Sequence, residues 1–196
     1  MALRKKSNET TKKVIVLFIA FLMVGSVFGI ILYGFAAGNP NAQEFNGYKF
    51  YYRGDHWETE VDDVKVAFLY LPPDITYIKL PDDVRSRLKG ASQIDMTSDF
   101  NDTHAQGIAL AQFQFDMSLR DFKKFTRSGF TSVNQFNAPV LTCQQATQFV
   151  PMIYFKKANT TAVYTQGNCI IADALNPVDV IRIKDRLLYD MLGIIP

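Results

Sequence analysis

Between Val14 and Ala37 the chain reads VIVLFIAFLMVGSVFGIILYGFAA, twenty-four residues without a charge. As a helix this stretch is about 36 Å long, enough to cross a hydrocarbon core of about 30 Å with some tilt. Arg4, Lys5, Lys6, Lys12 and Lys13 precede it, and the next basic residue is Lys49. The asymmetry predicts a cytoplasmic basic tail over residues 1–13 and a transmembrane helix over 14–37, with everything later outside the membrane. Residues 38–44 form a short polar linker in which Pro40 disfavours continued helix. Residues 45–196 are left as one outer domain.

Three other readings of the apolar run stand beside the anchor. A cleaved signal peptide has a shorter apolar region, of roughly 7–15 residues, but Ala36-Ala37-Gly38 would tolerate a peptidase. A buried core helix rarely lacks a polar face altogether. A pilin helix has similar composition, yet no prepilin cleavage signal is evident. Within the run, Gly25 and Gly29 form a GxxxG pattern, a flat face suited to close helix packing and so to a homo-oligomer. The plain alternative is that glycine is common in membrane helices.

Charge excludes one function class. The tail holds five of the 21 basic residues and one of the 19 acidic ones, so the outer part is formally −2. No basic stripe remains for nucleic acid. The tail's cations suit anionic lipid headgroups instead. The outer part has 159 residues, enough for one domain with a sizeable core. Sixteen Phe and nine Tyr against one Trp favour sheets with aromatic-lined faces.

The two cysteines, Cys143 and Cys169, both fall in the outer part. Outside the cytoplasm such a pair is expected as a disulfide. The competing reading is a reactive thiol at Cys143, at the start of a short helix where a thiolate is favoured. A catalytic thiol needs a base, and only His56 and His104 are available.

Alternation over Phe45–Leu71 predicts a β-meander with turns at Gly54-Asp55 and Asp62-Asp63. Ile75–Leu80 is a short strand candidate. Pro81-Asp82-Asp83 opens a helix to Lys89, stopped by Gly90. Gln93–Thr97 is a strand, followed by a polar loop over Ser98–Thr103. A helix is expected from Thr103 or His104 to about Phe125, with Ile108, Ala111, Phe115, Leu119 and Phe122 on one face. Its first half, ALAQFQFDM, also alternates and could be a strand. FTSV after Gly129 is a further strand candidate. Leu141–Phe149 holds a helical turn or two. Met152–Lys156, Ala162–Thr165 and Cys169–Ala172 read as strands. The last helix is capped by Asn176, with Pro177 at its first position and Asp179 near its positive end. Val180, Ile183, Leu187 and Met191 make its buried stripe, and Arg182, Asp185, Arg186 and Asp190 are expected to face away. The fold class is therefore α/β (α+β): one mixed sheet with helices packed on it.

Within residues 142–196, four segments carry a resemblance. They are Thr142-Cys143-Gln144-Gln145-Ala146-Thr147, Pro151-Met152-Ile153, Gly167-Asn168-Cys169-Ile170-Ile171, and Asp185-Arg186-Leu187-Leu188-Tyr189 with Leu192-Gly193-Ile194. Together they resemble a family of uncharacterised single-pass archaeal membrane proteins. The resemblance implies a membrane location and paired cysteines, and it implies no activity.

No segment assembles a familiar catalytic pattern. Asp99-Phe100-Asn101-Asp102-Thr103 imitates the start of a calcium loop, but glycine is missing at the sixth place and Leu110 stands at the twelfth. A solvated loop explains these residues equally well. Glu58, Glu60, Asp62 and Asp63 could supply paired carboxylates, but alternation puts Glu58 and Glu60 on the wet face of a hairpin. Asn101 and Asn159 head sequons in predicted outer loops and are candidates for glycosylation. No metal, cofactor or catalytic residue is expected. The leading expectation is a membrane-anchored extracytoplasmic interaction module, or a subunit of a membrane assembly, with the lipid bilayer and a membrane or cell-surface protein as partners. The alternatives are a surface thiol-redox protein or hydrolase centred on Cys143, and an envelope or pilus structural subunit.

Overall fold

The computed structural model describes residues 9–36 and 41–195. Arg4, Lys5, Lys6, Ala37 and the linker residues 38–40 lie outside the described residues. Helix α1 spans Glu9–Ala36, 28 residues, and so begins inside the expected tail. At 1.5 Å per residue it is about 42 Å long. Its window Lys12–Gly29 has a mean hydropathy of 2.0 and is exposed throughout, unlike a core helix. The helix is long and apolar enough to cross a membrane.

The second unit covers Gln43–Pro196. It contains two sheets where one was expected. The first is a four-stranded meander of β1 (Ala42–Phe45), β2 (Tyr48–Tyr52), β3 (Trp57–Val61) and β4 (Val64–Phe68), in sequential order. β1 begins within the segment expected as linker. Its hairpin is made by Asn46-Gly47, both at positive φ, the conformation that a tight two-residue hairpin requires. Asp62 and Asp63, also at positive φ, close the β3–β4 hairpin. One face of the meander buries Phe50, Val61, Val66 and Phe68, while Lys49, Glu60 and Lys65 are exposed on the other.

Pro72 then starts a helical turn, α2 (Pro72–Ile75), so Ile75–Leu80 is not a strand. Two prolines fix φ near the helical value, and Ile75 and Ile78, three apart, bury together. Helix α3 (Asp82–Gly90) follows as expected, burying Val84 and Leu88.

The second sheet has β5 (Gln93–Ser98), β6 (Phe125–Phe130), β7 (Met152–Lys157), β8 (Ala162–Gln166) and β9 (Cys169–Ala174), in the order β6-β5-β7-β9-β8. Four strands are parallel, and β8 runs antiparallel to β9. Helix α4 (Ala105–Arg120) connects β5 to β6. It stops five residues before the expected Phe125. Lys123 turns the chain at positive φ, and Phe125 onward pairs with β5 instead. The strand expected at FTSV thus lies earlier, and only Phe130 of that run belongs to it. Between β6 and β7 the chain crosses the opposite face of the sheet. There Leu141 and Ala146 pack on Met152, Cys169 and Ile171.

The last helix, α5 (Pro177–Met191), begins as its sequence specifies: the Asn176 Oδ1 accepts from the Asp179 N–H at 3.0 Å. Its surroundings differ from the expectation. Beyond Val178 every residue but Arg182 is buried, including Lys184, Asp185, Arg186 and Asp190. The helix packs on β9 and α4, and the Tyr189 ring stacks on Phe68 of the meander at 4.0 Å. It is therefore covered on both sides. Its polar face is buried because Asp185, Arg186 and Asp190 each hold another element, while Lys184 pairs with Asp185. Asp185 Oδ2 accepts from the N–H groups of Leu69 and Tyr70 at 2.8 and 2.9 Å. The Tyr189 hydroxyl donates to the Tyr70 carbonyl at 2.6 Å, and Arg186 Nε to the Ile78 carbonyl at 3.1 Å. Asp190 pairs with Arg85 of α3 at 3.3 Å. Charges tolerate burial only when partnered in this way.

Candidate binding site

The residues singled out by sequence do not converge on one site. Cys143 and Cys169 are bonded, with Cα atoms 5.2 Å apart. Cys143 opens a 3₁₀ turn (Cys143–Gln145) in which Gln145 Oε1 accepts from the Thr142 N–H at 3.0 Å. No thiol is left free among the described residues, so a thiol at Cys143 has no basis in this structure. His56 is paired with Asp55 at 2.6 Å in the β2–β3 turn, and His104 is buried at the start of α4. Gly25 and Gly29 lie on α1 with open space where a Cβ would stand.

The carboxylates of the calcium-like segment are engaged by backbone. Asp99 accepts from the Asn101 N–H at 2.9 Å; Asp102 accepts from His104 at 2.7 Å and from Lys157 at 2.8 Å. Asp95 is held by Arg127 and Gln93. Among the described residues no group of three or more His, Cys, Asp and Glu is placed to hold a metal. Asn101 and Asn159 are exposed in the loops after β5 and β7, neighbouring strands whose loops the Asp102–Lys157 bond ties together. Glu58 bonds Arg53 at 2.9 Å on the outer face of the meander, and Lys65 stands 3.6 Å away. The Arg53 bond holds its carboxyl below the ordinary range despite slight burial.

A different arrangement stands out in the groove between β4 and α4. A cavity of about 230 Å³ is walled by Ala67, Phe68 and Leu69 on one side and by Phe113, Gln114, Met117 and Ser118 on the other. Lys184 of α5 also lines it, as do Asp55 and His56. Lys184 is 1% exposed and forms an ion pair with the fully buried Asp185. Burial raises the Asp185 carboxyl above the ordinary carboxylate range, against the opposing pull of Lys184 and the Tyr70 and Leu69 N–H groups. Gln114 Oε1 is buried without a hydrogen-bond partner.

The groove has an apolar rim. On α4, Phe113 is 62% exposed, Met117 48% and Leu110 47%, and Leu69 adds 38% from the β4 side. Positions 110, 113 and 117 lie opposite the buried row Ile108, Ala111, Phe115 and Leu119 at helical spacing. The helix thus carries two apolar stripes and buries one. Sequence reasoning missed these residues, although the signal was present: two stripes on one helix are what made ALAQFQFDM alternate. Lys184 gave no comparable signal, because its burial depends on how the meander closes over α5.

No family model, curated protein or solved structure matches this chain.

Proposed function

We propose that this chain is a membrane-anchored, non-catalytic interaction module, and that it binds through the β4–α4 groove. The carrying observation is the exposed row Leu110, Phe113 and Met117 beside the cavity lined by Lys184. A helix stripe of this kind, next to a cavity lined by a buried lysine, suits a partner surface that covers the stripe and makes a few fixed polar contacts at the cavity. Helix α1 supports an anchor by length and composition. The basic residues before the apolar run support a cytoplasmic N-terminus with the second unit outside, at the cell membrane. The Cys143–Cys169 bond suits an oxidising compartment and so the same side. Gly25 and Gly29, with open space around them, leave a face on which another membrane helix can pack. In this reading the exposed sequons at Asn101 and Asn159 are acceptors on the outer side.

A photo-crosslinking residue at Phe113 in intact membranes tests the binding face. A discrete protein adduct, abolished by Met117→Glu in a chain that keeps its fold, is expected. An adduct pattern unchanged by Met117→Glu, or no protein adduct, contradicts the reading.

A further inference from the structure

β4 is one of the two edge strands of the meander, since the sheet order begins with β1 and ends with β4. The hydrogen-bonding phase of that edge follows from register. The two-residue turn at Asp62-Asp63 makes Val61 and Val64 a bonded pair, and Thr59–Val66 and Trp57–Phe68 continue the phase. The N–H and C=O groups of Lys65 and Ala67 therefore point away from β3. Leu69 comes next in that phase, and its N–H is the one taken by Asp185. Asp185 thus closes the end of the edge, and Lys65 and Ala67 are left open just before it. Both residues are exposed.

We infer that a second copy of this chain pairs with β4 edge to edge, antiparallel, about a two-fold axis at Val66. This rests on the interaction-module reading and names its partner. Two open positions, two residues apart, are self-complementary about the residue between them. Lys65 then faces Ala67 of the other copy, Ala67 faces its Lys65, and both bonded pairs close. The result is a continuous eight-stranded sheet in which the β4 edge is no longer open.

Charge and size fit the same register. On the outer face the order across the junction is Glu58, Ala67, then Lys65 of the other copy. The small Ala67 leaves room for that lysine to reach Glu58. Each Lys65 already lies 3.6 Å from its own Glu58, which offsets the approach of the two lysines along the diagonal. Farther along, the register places the acidic turn Asp62-Asp63 of one copy beside Leu69 and Tyr70 of the other. That is the end of the groove lined by Lys184 and His56. The strand of the second copy turns away there, where Asp185 already holds the Leu69 and Tyr70 N–H groups. Phe113 and Met117 of α4 line the groove with Ala67, Phe68 and Leu69, and so flank this junction.

Lys65→Cys in the full chain, in its membrane, tests the register. Cys143 and Cys169 are bonded, so the new thiol is the one free to react among the described residues. Diagonal neighbours in such a pairing lie about 7–8 Å apart. A bis-maleimide of that reach should give a covalent dimer from Lys65→Cys and none from Glu60→Cys, one strand farther in. Adding Ala67→Pro removes an edge N–H that the monomer does not use, and should abolish the dimer. Adding Phe113→Glu, at an exposed position, should weaken it without touching the fold. The dimer should persist with Gly25→Ile/Gly29→Ile, which separates it from helix packing in the membrane. Equal crosslinking at Lys65→Cys and Glu60→Cys, or a dimer indifferent to both Ala67→Pro and Phe113→Glu, overturns the inference. An adduct from Phe113 to a different protein, with no Lys65→Cys dimer, overturns it too, and leaves the interaction-module reading standing.

Discussion

The Asp185 carboxylate of α5 accepts hydrogen bonds from the Leu69 N–H at 2.8 Å and the Tyr70 N–H at 2.9 Å, 116 and 115 residues away in the chain. With Lys184 as counter-ion, this carboxylate fastens the end of the meander to the central helix. Asp185→Ala strips the partner from the buried Lys184 and leaves two part-buried backbone donors without their acceptor. It should cost about 3–5 kcal/mol. Lys184→Met with Asp185→Asn removes both charges and keeps an acceptor for the two N–H groups, so it should recover most of that loss. Urea unfolding of the detergent-solubilised chain measures both. Equal losses for the single and double variants would mean that the charge pair is not the cause.

Gly129 lies where the chain recrosses the sheet. A Cβ there would stand 2.4 Å from the Pro139 carbonyl oxygen and 2.8 Å from Leu141 Cγ. Phe130 and Leu141 are hydrogen-bonded to this crossing, so the backbone has little room to give way. Gly129→Ala should therefore destabilise the domain by about 1–3 kcal/mol, as overpacking does. Gly167→Ala, with open space but a positive φ, should cost about 1 kcal/mol. Thermal melts of the two variants compare these causes directly.

The Cys143–Cys169 bond closes a loop of 26 residues. On the chain-entropy account its loss costs about 3 kcal/mol. Cys143→Ser with Cys169→Ser should lower Tm by about 5–12 °C for a domain of this size and leave it folded. Collapse of the fold on reduction would show that the core is less self-sufficient than its burial suggests.

Asp116 gives a pH signature. The Thr126 hydroxyl and Arg120 hold its carboxyl below the ordinary range, against some burial. A depressed folded-state pKa stabilises the fold above the unfolded value, and that contribution is lost as pH falls through the folded one. Wild type should therefore exceed Asp116→Asn in Tm at neutral pH. The difference should fade as pH drops below about 4. A difference that grows in acid would contradict the assignment.

How much of this was legible in the sequence follows from how local each cause is. The Asn176 cap with Pro177 marks α5, and the Asp62-Asp63 turn marks its hairpin, because the residues that decide them are neighbours. Asn46-Gly47 is equally local, and it pairs β2 with β1, whose residues 42–44 were expected as linker. The buried polar face of α5 was not legible. Arg186, Asp185 and Asp190 look like a wet face until Ile78, Leu69, Tyr70 and Arg85 arrive from distant segments. The groove was hidden for a related reason: alternation along α4 could not be assigned to two helix faces until β5 and β6 fixed the segment between them as a helical crossover.

The topology of the anchor is the claim on which the proposed function stands. Protease added to intact cells carrying an N-terminal tag measures it. The account predicts removal of the domain after Gln43 with the tag protected inside. A digested tag with an intact domain would place the groove, the disulfide and both sequons on the cytoplasmic side, and would contradict it.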